Sequence, residues 1–176
     1  MRIDFDADDH VATELTSIAK LMFNEDHIGV VLRSSFHLET LLDHWLISKT
    51  GADLFEGLLT SNEMRVGVCK NLGFPDILVT PIKKIFKIRN DLAHNNSGEE
   101  ITHRHISALE DMLNNISPTT GNRYKNPRYG VAFYHDDDTV DRHYYKDSDN
   151  RIRFIILFGQ IYATVWEQLF RPRSDV

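Results

Sequence analysis

The run Arg89-Asn90-Asp91-Leu92-Ala93-His94 places a guanidinium, an amide and an imidazole close together in the chain. An imidazole titrates near neutral pH, so it can take or give a proton during a reaction. A guanidinium presents a planar fork of donors that fits phosphate oxygens. If the run is helical, Lys83, Lys87, Asn90 and His94 share one polar face, because residues three and four apart are neighbours on a helix. Two lysines, an amide and an imidazole suit a phosphate-rich ligand. The same residues also suit a solvated helix C-terminus, where the dipole favours Lys and His.

Arg89 itself belongs to a different face. At about 100° per residue, Leu78, Ile82, Ile85 and Leu92 line one side of the helix that carries the run, and Arg89 falls in the middle of them. On the preceding long helix Ile28, Leu32, Leu42 and Leu46 define the apolar side, with Glu39 at its centre. A charge aimed at a core is costly unless paired. The simplest expectation is that Glu39 and Arg89 face each other as a structural pair across the packed helices. Desolvation offsets most of the attraction in such a pair, so it either fixes register or presents the guanidinium at a site, and both readings stand. The same wheel separates Arg89 from His94 by about 140°. One copy of an unbroken helix therefore cannot aim both at one phosphate.

The elements that must position these residues read as helices. A first covers about Asp8 to Phe23, with an acidic first turn. A second runs from about Asp26 to Ser48 and stops before Gly51. A third starts at a capping box, Thr60 with Glu63, and ends at Asn71-Leu72-Gly73. The fourth follows Phe74-Pro75 and reaches about His94, with Pro81 expected in its first regular turn. Asn95-Asn96-Ser97-Gly98 reads as a turn, and a fifth helix covers about Thr102 to Asn115. Short connections imply antiparallel neighbours and hence an all-α bundle. The stretch 117–150 holds Pro118, Gly121, Pro127 and Gly130 and forms an irregular insertion. Within it Tyr129 to His135 and Arg142 to Lys146 can pair as a β-hairpin across Asp136-Asp137-Asp138. The last helix, about Asp149 to Phe170, is apolar on nearly every side and must be buried in its own chain or in a second copy. The expectation is one helical domain over residues 1–176, interrupted by this insertion.

Composition narrows the function. The 176 residues carry a net charge of −6, with 41% hydrophobic and 26% charged residues, as in a globular protein without a global nucleic-acid-binding signature. Any nucleic-acid site has to be a local patch. The single cysteine, Cys69, excludes an intrachain disulfide and a cysteine-based zinc site and fits a cytoplasmic setting. The first residues are acidic and lack the apolar run of a signal peptide, and the most apolar stretch, Phe154 to Trp166, is too short to span a bilayer. His103-x-His105 lacks carboxylates at ligand spacing and reads as helix-start polar residues rather than a metal site. The acidic turn with His135, Asp141 and His143 lacks the glycine and final glutamate of a calcium loop. No metal or cofactor is expected. Arg123, Tyr124, Lys125 and Arg128 interleave cations with an aromatic ring, a composition suited either to stacking on single-stranded RNA or to an ordinary hairpin surface.

The run Phe86-Lys87-Ile88-Arg89-Asn90-Asp91-Leu92-Ala93-His94 resembles the signature of the HEPN superfamily: an arginine, a polar residue directly after it, and a histidine a few positions on, at a helix end. The helix bearing Leu38-Glu39-Thr40-Leu41-Leu42, followed by a short middle helix, is similar to the order in its mannitol-operon-repressor-like branches. The resemblance covers about Asp26 to Asn115. It implies a HEPN-like bundle and, in many members, metal-independent cleavage of RNA. His94 would then act as general base or acid, Arg89 would stabilise charge on the phosphorus-centred transition state, and Asn90 would orient the phosphate or His94. Products would carry a 2′,3′-cyclic phosphate and a 5′-hydroxyl. It implies a homodimer with a composite site, and settings such as toxin–antitoxin or phage-defence systems with an antitoxin or regulatory protein as partner. Other members are non-catalytic binding or regulatory modules, and that alternative stands beside the nuclease.

Overall fold

In a computed structural model of the chain, residues 2–3, 9–23, 26–94, 100–117, 121–135 and 137–170 are described. Six helices pack together: α1 (Asp9–Lys20), α2 (His27–Thr50), α3 (Asn62–Asn71), α4 (Asp76–His94), α5 (His103–Ile116) and α6 (Asn150–Phe170). Local chemistry sets their ends. Asp26 caps α2, its carboxylate accepting the N–H groups of Ile28 at 3.0 Å and Gly29 at 2.9 Å. Gly51, at φ 74°, closes the same helix by donating its N–H to the Ile47 carbonyl at 2.8 Å. The capping of α3 lies one residue later than the sequence suggests: Ser61 is the cap, accepting the Met64 N–H, while the Thr60 hydroxyl accepts from Arg65 instead. Pro81 is interior to α4 rather than in its first turn. Asp76 begins that helix one turn earlier, and the Pro81 nitrogen simply leaves one helical bond unmade.

The core explains why α6 is apolar all round. Its Phe154, Leu157, Phe158, Ile161 and Val165 are completely buried, and it packs against α1, α2 and α5. Its burial is therefore within its own chain. Leu38 and Leu42 of α2 and Leu78, Ile82 and Ile85 of α4 complete the core on the other side, with α2 sandwiched between α4 and α6.

The insertion contains the expected hairpin, displaced in its second strand. β2 (Gly130–Tyr134) pairs antiparallel with β3 (Val140–Tyr144), and Tyr145–Asp147 turns into a short 3-10 helix instead of extending the strand. Asp137 holds the turn by accepting the N–H and hydroxyl of Thr139. Gly130 is required because a Cβ there would run into the His143 carbonyl. A third strand, β1 (Arg2–Ile3), has no pattern in the sequence and pairs with Phe133 and Tyr134 on the other edge of β2. Three tyrosines staple the insertion to the bundle: Tyr124 accepts from Asn114, Tyr129 donates to Gln160 at 2.7 Å, and Tyr145 donates to Glu110 at 2.6 Å. The turn expected at Asn95-Asn96-Ser97-Gly98, a helix start at Asp8, Pro118 and Asp136 of the hairpin turn lie outside the described residues.

Candidate functional site

The C-terminal half of α4 forms one wall of a cleft of about 740 Å³. α4 contributes Lys83, Phe86, Lys87, Arg89, Asn90 and Asp91, α2 contributes Glu39, and the start of α3 contributes Thr60 through Glu63. The opposing wall exists because α3 packs on both α2 and α4. A half-buried ion pair fixes it there. Arg65 of α3 donates to both carboxylate oxygens of Asp43 at 2.5 and 2.6 Å, reaches Thr60 at 3.1 Å, and lies over the Phe55 ring. Burial pushes the Asp43 carboxyl above its ordinary range; the Arg65 charge opposes this, while Asp53 and Glu39 add to it.

Glu39 and Arg89 were expected to be a buried pair. They face the same cleft, but both are half-buried and no hydrogen bond or ion pair within 4.0 Å joins them. The expected apolar face of α2 is displaced: Leu32 is exposed and the buried stripe centres on Leu38, so Glu39 lies at its edge, and both charges border a cleft instead of a core. Arg89 donates instead to the Asn90 side-chain carbonyl at 2.9 Å. That bond leaves the Asn90 amide as a pure donor beside the remaining guanidinium donors. Lys87 is paired with Asp91 at 2.9 Å, whereas Lys83 has no ion pair among the described residues. Three cations and the carboxylates Glu39, Glu63 and Asp91 therefore line the cleft. The donors converge on one side, but the cleft as a whole is nearly charge-balanced.

His94 is the last residue of α4, is exposed, and lines neither this cleft nor a second one between α4 and the start of α5. Because α4 continues unbroken to His94, the wheel separation from Arg89 persists. Within one copy the structure brings Arg89 and Asn90 together and leaves His94 apart. Of the insertion residues nominated for RNA, Tyr124 is buried, tied to Asn114 and packed on Tyr145, so its ring is unavailable for stacking on a base. Arg123, Lys125 and Arg128 are exposed but line neither cleft. The wall Thr60–Glu63 and Phe86 were not anticipated as site residues. The α3 start was legible as a capping signal, but nothing local says that it folds over α4.

His105 sits on α5 beside the other flank of α4. Its Nδ1 accepts the Thr102 N–H at 3.2 Å, which accounts for a histidine at a helix start. Burial holds the ring below its ordinary pKa of 6.5; Asp91 opposes this, and Arg104, Lys84 and Lys87 reinforce it. Among the described residues no group of three or more His, Cys, Asp or Glu side chains could hold a metal ion, and no helix is long and apolar enough to cross a membrane. Comparison with protein-family models, curated proteins and solved structures gives no match for this chain.

Proposed function

We propose that the protein is a HEPN-like endoribonuclease that cleaves single-stranded RNA at a site assembled from two copies. The observation that carries this reading is the Arg89–Asn90 bond at the mouth of an open cleft. It preorganises a guanidinium and an amide toward space a phosphate can occupy, in the same run whose residues resemble the superfamily signature. A guanidinium that served only the bundle would be expected to close on Glu39.

In the proposed reaction the scissile phosphate lies against Arg89 and the Asn90 amide. His94 of one copy takes the proton from the ribose 2′-hydroxyl, and the 2′-oxygen attacks phosphorus. The bond to the 5′-oxygen breaks, and His94 of the second copy returns a proton to that oxygen. The products are a 2′,3′-cyclic phosphate and a 5′-hydroxyl. Two copies are needed because one unbroken α4 cannot direct Arg89 and His94 at one atom, and a two-fold axis is the commonest way to face two identical surfaces. The test is cleavage of end-labelled RNA in EDTA by wild type and His94→Ala, with molar mass measured in parallel. Loss of cleavage with an unchanged dimer is expected. Equal cleavage by both proteins overturns the assignment of His94.

A second reading has its own support. The carboxylates Glu39, Glu63 and Asp91 in the cleft and the displacement of His94 favour a non-catalytic binding or regulatory module using the same groove. It predicts no cleavage product from wild type at any RNA concentration.

A further inference from the structure

A second cleft, of about 430 Å³, lies between α4 and the start of α5. Lys84, Lys87, Arg104 and His105 line it, with Asp91 and Glu100 as its carboxylates. Asp91 is occupied by Lys87 at 2.9 Å, and neither Lys84 nor Arg104 has an ion-pair partner within 4.0 Å among the described residues. The His105 ring adds a donor. Its Nδ1 accepts from the Thr102 backbone, so the neutral ring carries its proton on Nε2. The positive end of α5 borders the same space. Burial chiefly keeps the His105 ring unprotonated against Asp91, and Arg104, Lys84 and Lys87 add to it.

Lys87 and Asp91 line both clefts, so they form a ridge shared by the Arg89 site and this one. We propose that the α4–α5 cleft is a second phosphate subsite, which holds the backbone of the bound strand beyond the Lys87 ridge, one side of the phosphate held by Arg89. This rests on the reading of the Arg89 cleft as an RNA site. Backbone contacts of this kind position a strand without reading its sequence. They make binding salt-dependent, each neutralised phosphate of a single strand adding about 0.7 to the slope of log K against log salt.

The probes are 2′-O-methyl oligonucleotides, which lack the attacking hydroxyl, of about four and about twelve nucleotides, within the range of single-strand site sizes. Their binding is read by fluorescence anisotropy at several salt concentrations. The variant Lys84→Ser/Arg104→Ser removes two exposed side chains with no ion-pair partner among the described residues, so the fold is retained, which circular dichroism checks. The double variant should bind the longer probe about tenfold more weakly, with a slope lower by about 0.7, and bind the shorter probe as wild type does. Arg89→Ala should weaken both. Unchanged affinity and slope in the double variant, with Arg89→Ala weakened, overturns the subsite and spares the Arg89 site. Weakening in the double variant alone, with Arg89→Ala binding as wild type, keeps the anion subsite and overturns the Arg89 reading. No binding of either probe by wild type overturns both.

Discussion

Glu39 and Asp43 are one turn apart on α2, and each faces an arginine from a neighbouring helix, yet they meet opposite fates. Asp43 is closed: Arg65 grips it, Thr60 shares the guanidinium, and Phe55 covers it. Glu39 is open: Arg89 shares its cleft but bonds to Asn90 instead. Helix periodicity marks out Glu39 and gives no sign of Asp43. The closed pair ties α3 to α2, while the neighbouring pair stays apart across the cleft.

The largest expected contrast is in activity. Arg89→Ala should lower RNA cleavage about 10²–10³-fold, the usual cost of removing a preorganised donor. It should change stability by less than about 1 kcal/mol, since no buried partner is stranded. Denaturant melts and cleavage assays on the same preparation check both halves. A loss of several kcal/mol would mean that Arg89 is a structural residue, as Arg65 is.

Arg65→Ala should do the reverse, destabilising by about 2 kcal/mol, below the range for a fully buried pair because Asp43 keeps part of its water contact. The sign of its pH dependence follows from Asp43. Burial already raises that carboxyl in the folded state, and removing Arg65 raises it further. The native state then binds a proton more readily than the unfolded chain, so stability falls as pH rises through the raised value. The penalty of Arg65→Ala should be greatest at neutral pH and shrink on acidification. Chemical melts across the acid range test this, and a pH-independent penalty would contradict it.

His105 gives a smaller effect with the opposite sign. Its folded pKa lies below 6.5, so the unfolded ring takes its proton first as pH falls. The stability it contributes is complete above pH 6.5 and is lost as pH falls through the folded value. In His105→Gln the amide oxygen can still accept the Thr102 N–H, and this part of the acid destabilisation should vanish. Melts of the two proteins that run parallel below pH 6.5 would show that the ring is not held as described. The smallest change is expected for Glu39→Gln: stability unaffected, and binding of 2′-O-methyl oligonucleotides about two- to fivefold tighter once a carboxylate leaves the cleft.

Much of the bundle could be read from local signals. Asp26 and Gly51 mark the ends of α2 because an acceptor side chain and a left-handed glycine satisfy backbone groups within a few residues. The acidic turn between two strand-like segments marks the hairpin for the same reason, since the Asp137 carboxylate accepts from Thr139 two residues on. Other features escaped because their causes are distant in the chain. Tyr124 looked like a base-stacking ring beside Arg123 and Lys125, but the α5 residue Asn114 turns it inward. The strand β1 has no pattern of its own at two residues and exists only because Phe133 and Tyr134 offer an edge.

The sequence by itself determined where α2 and α4 run and that Arg89 interrupts the apolar face of α4, because hydrophobic periodicity and capping act over a turn or two of helix; on α2 the face lies elsewhere than periodicity suggests, with Leu32 exposed and Val30, Val31, Leu38 and Leu41 buried, which leaves Glu39 at its edge. The sequence also determined that Arg89 and His94 diverge on an unbroken α4. Only the tertiary structure decided that Glu39 and Arg89 stay apart, that Asp43 is the carboxylate that is gripped, and that Lys87 stands between two clefts. Those outcomes depend on where α3 and α5 dock against α4, and docking is set by shape and charge between segments far apart in the chain, which no local pattern encodes.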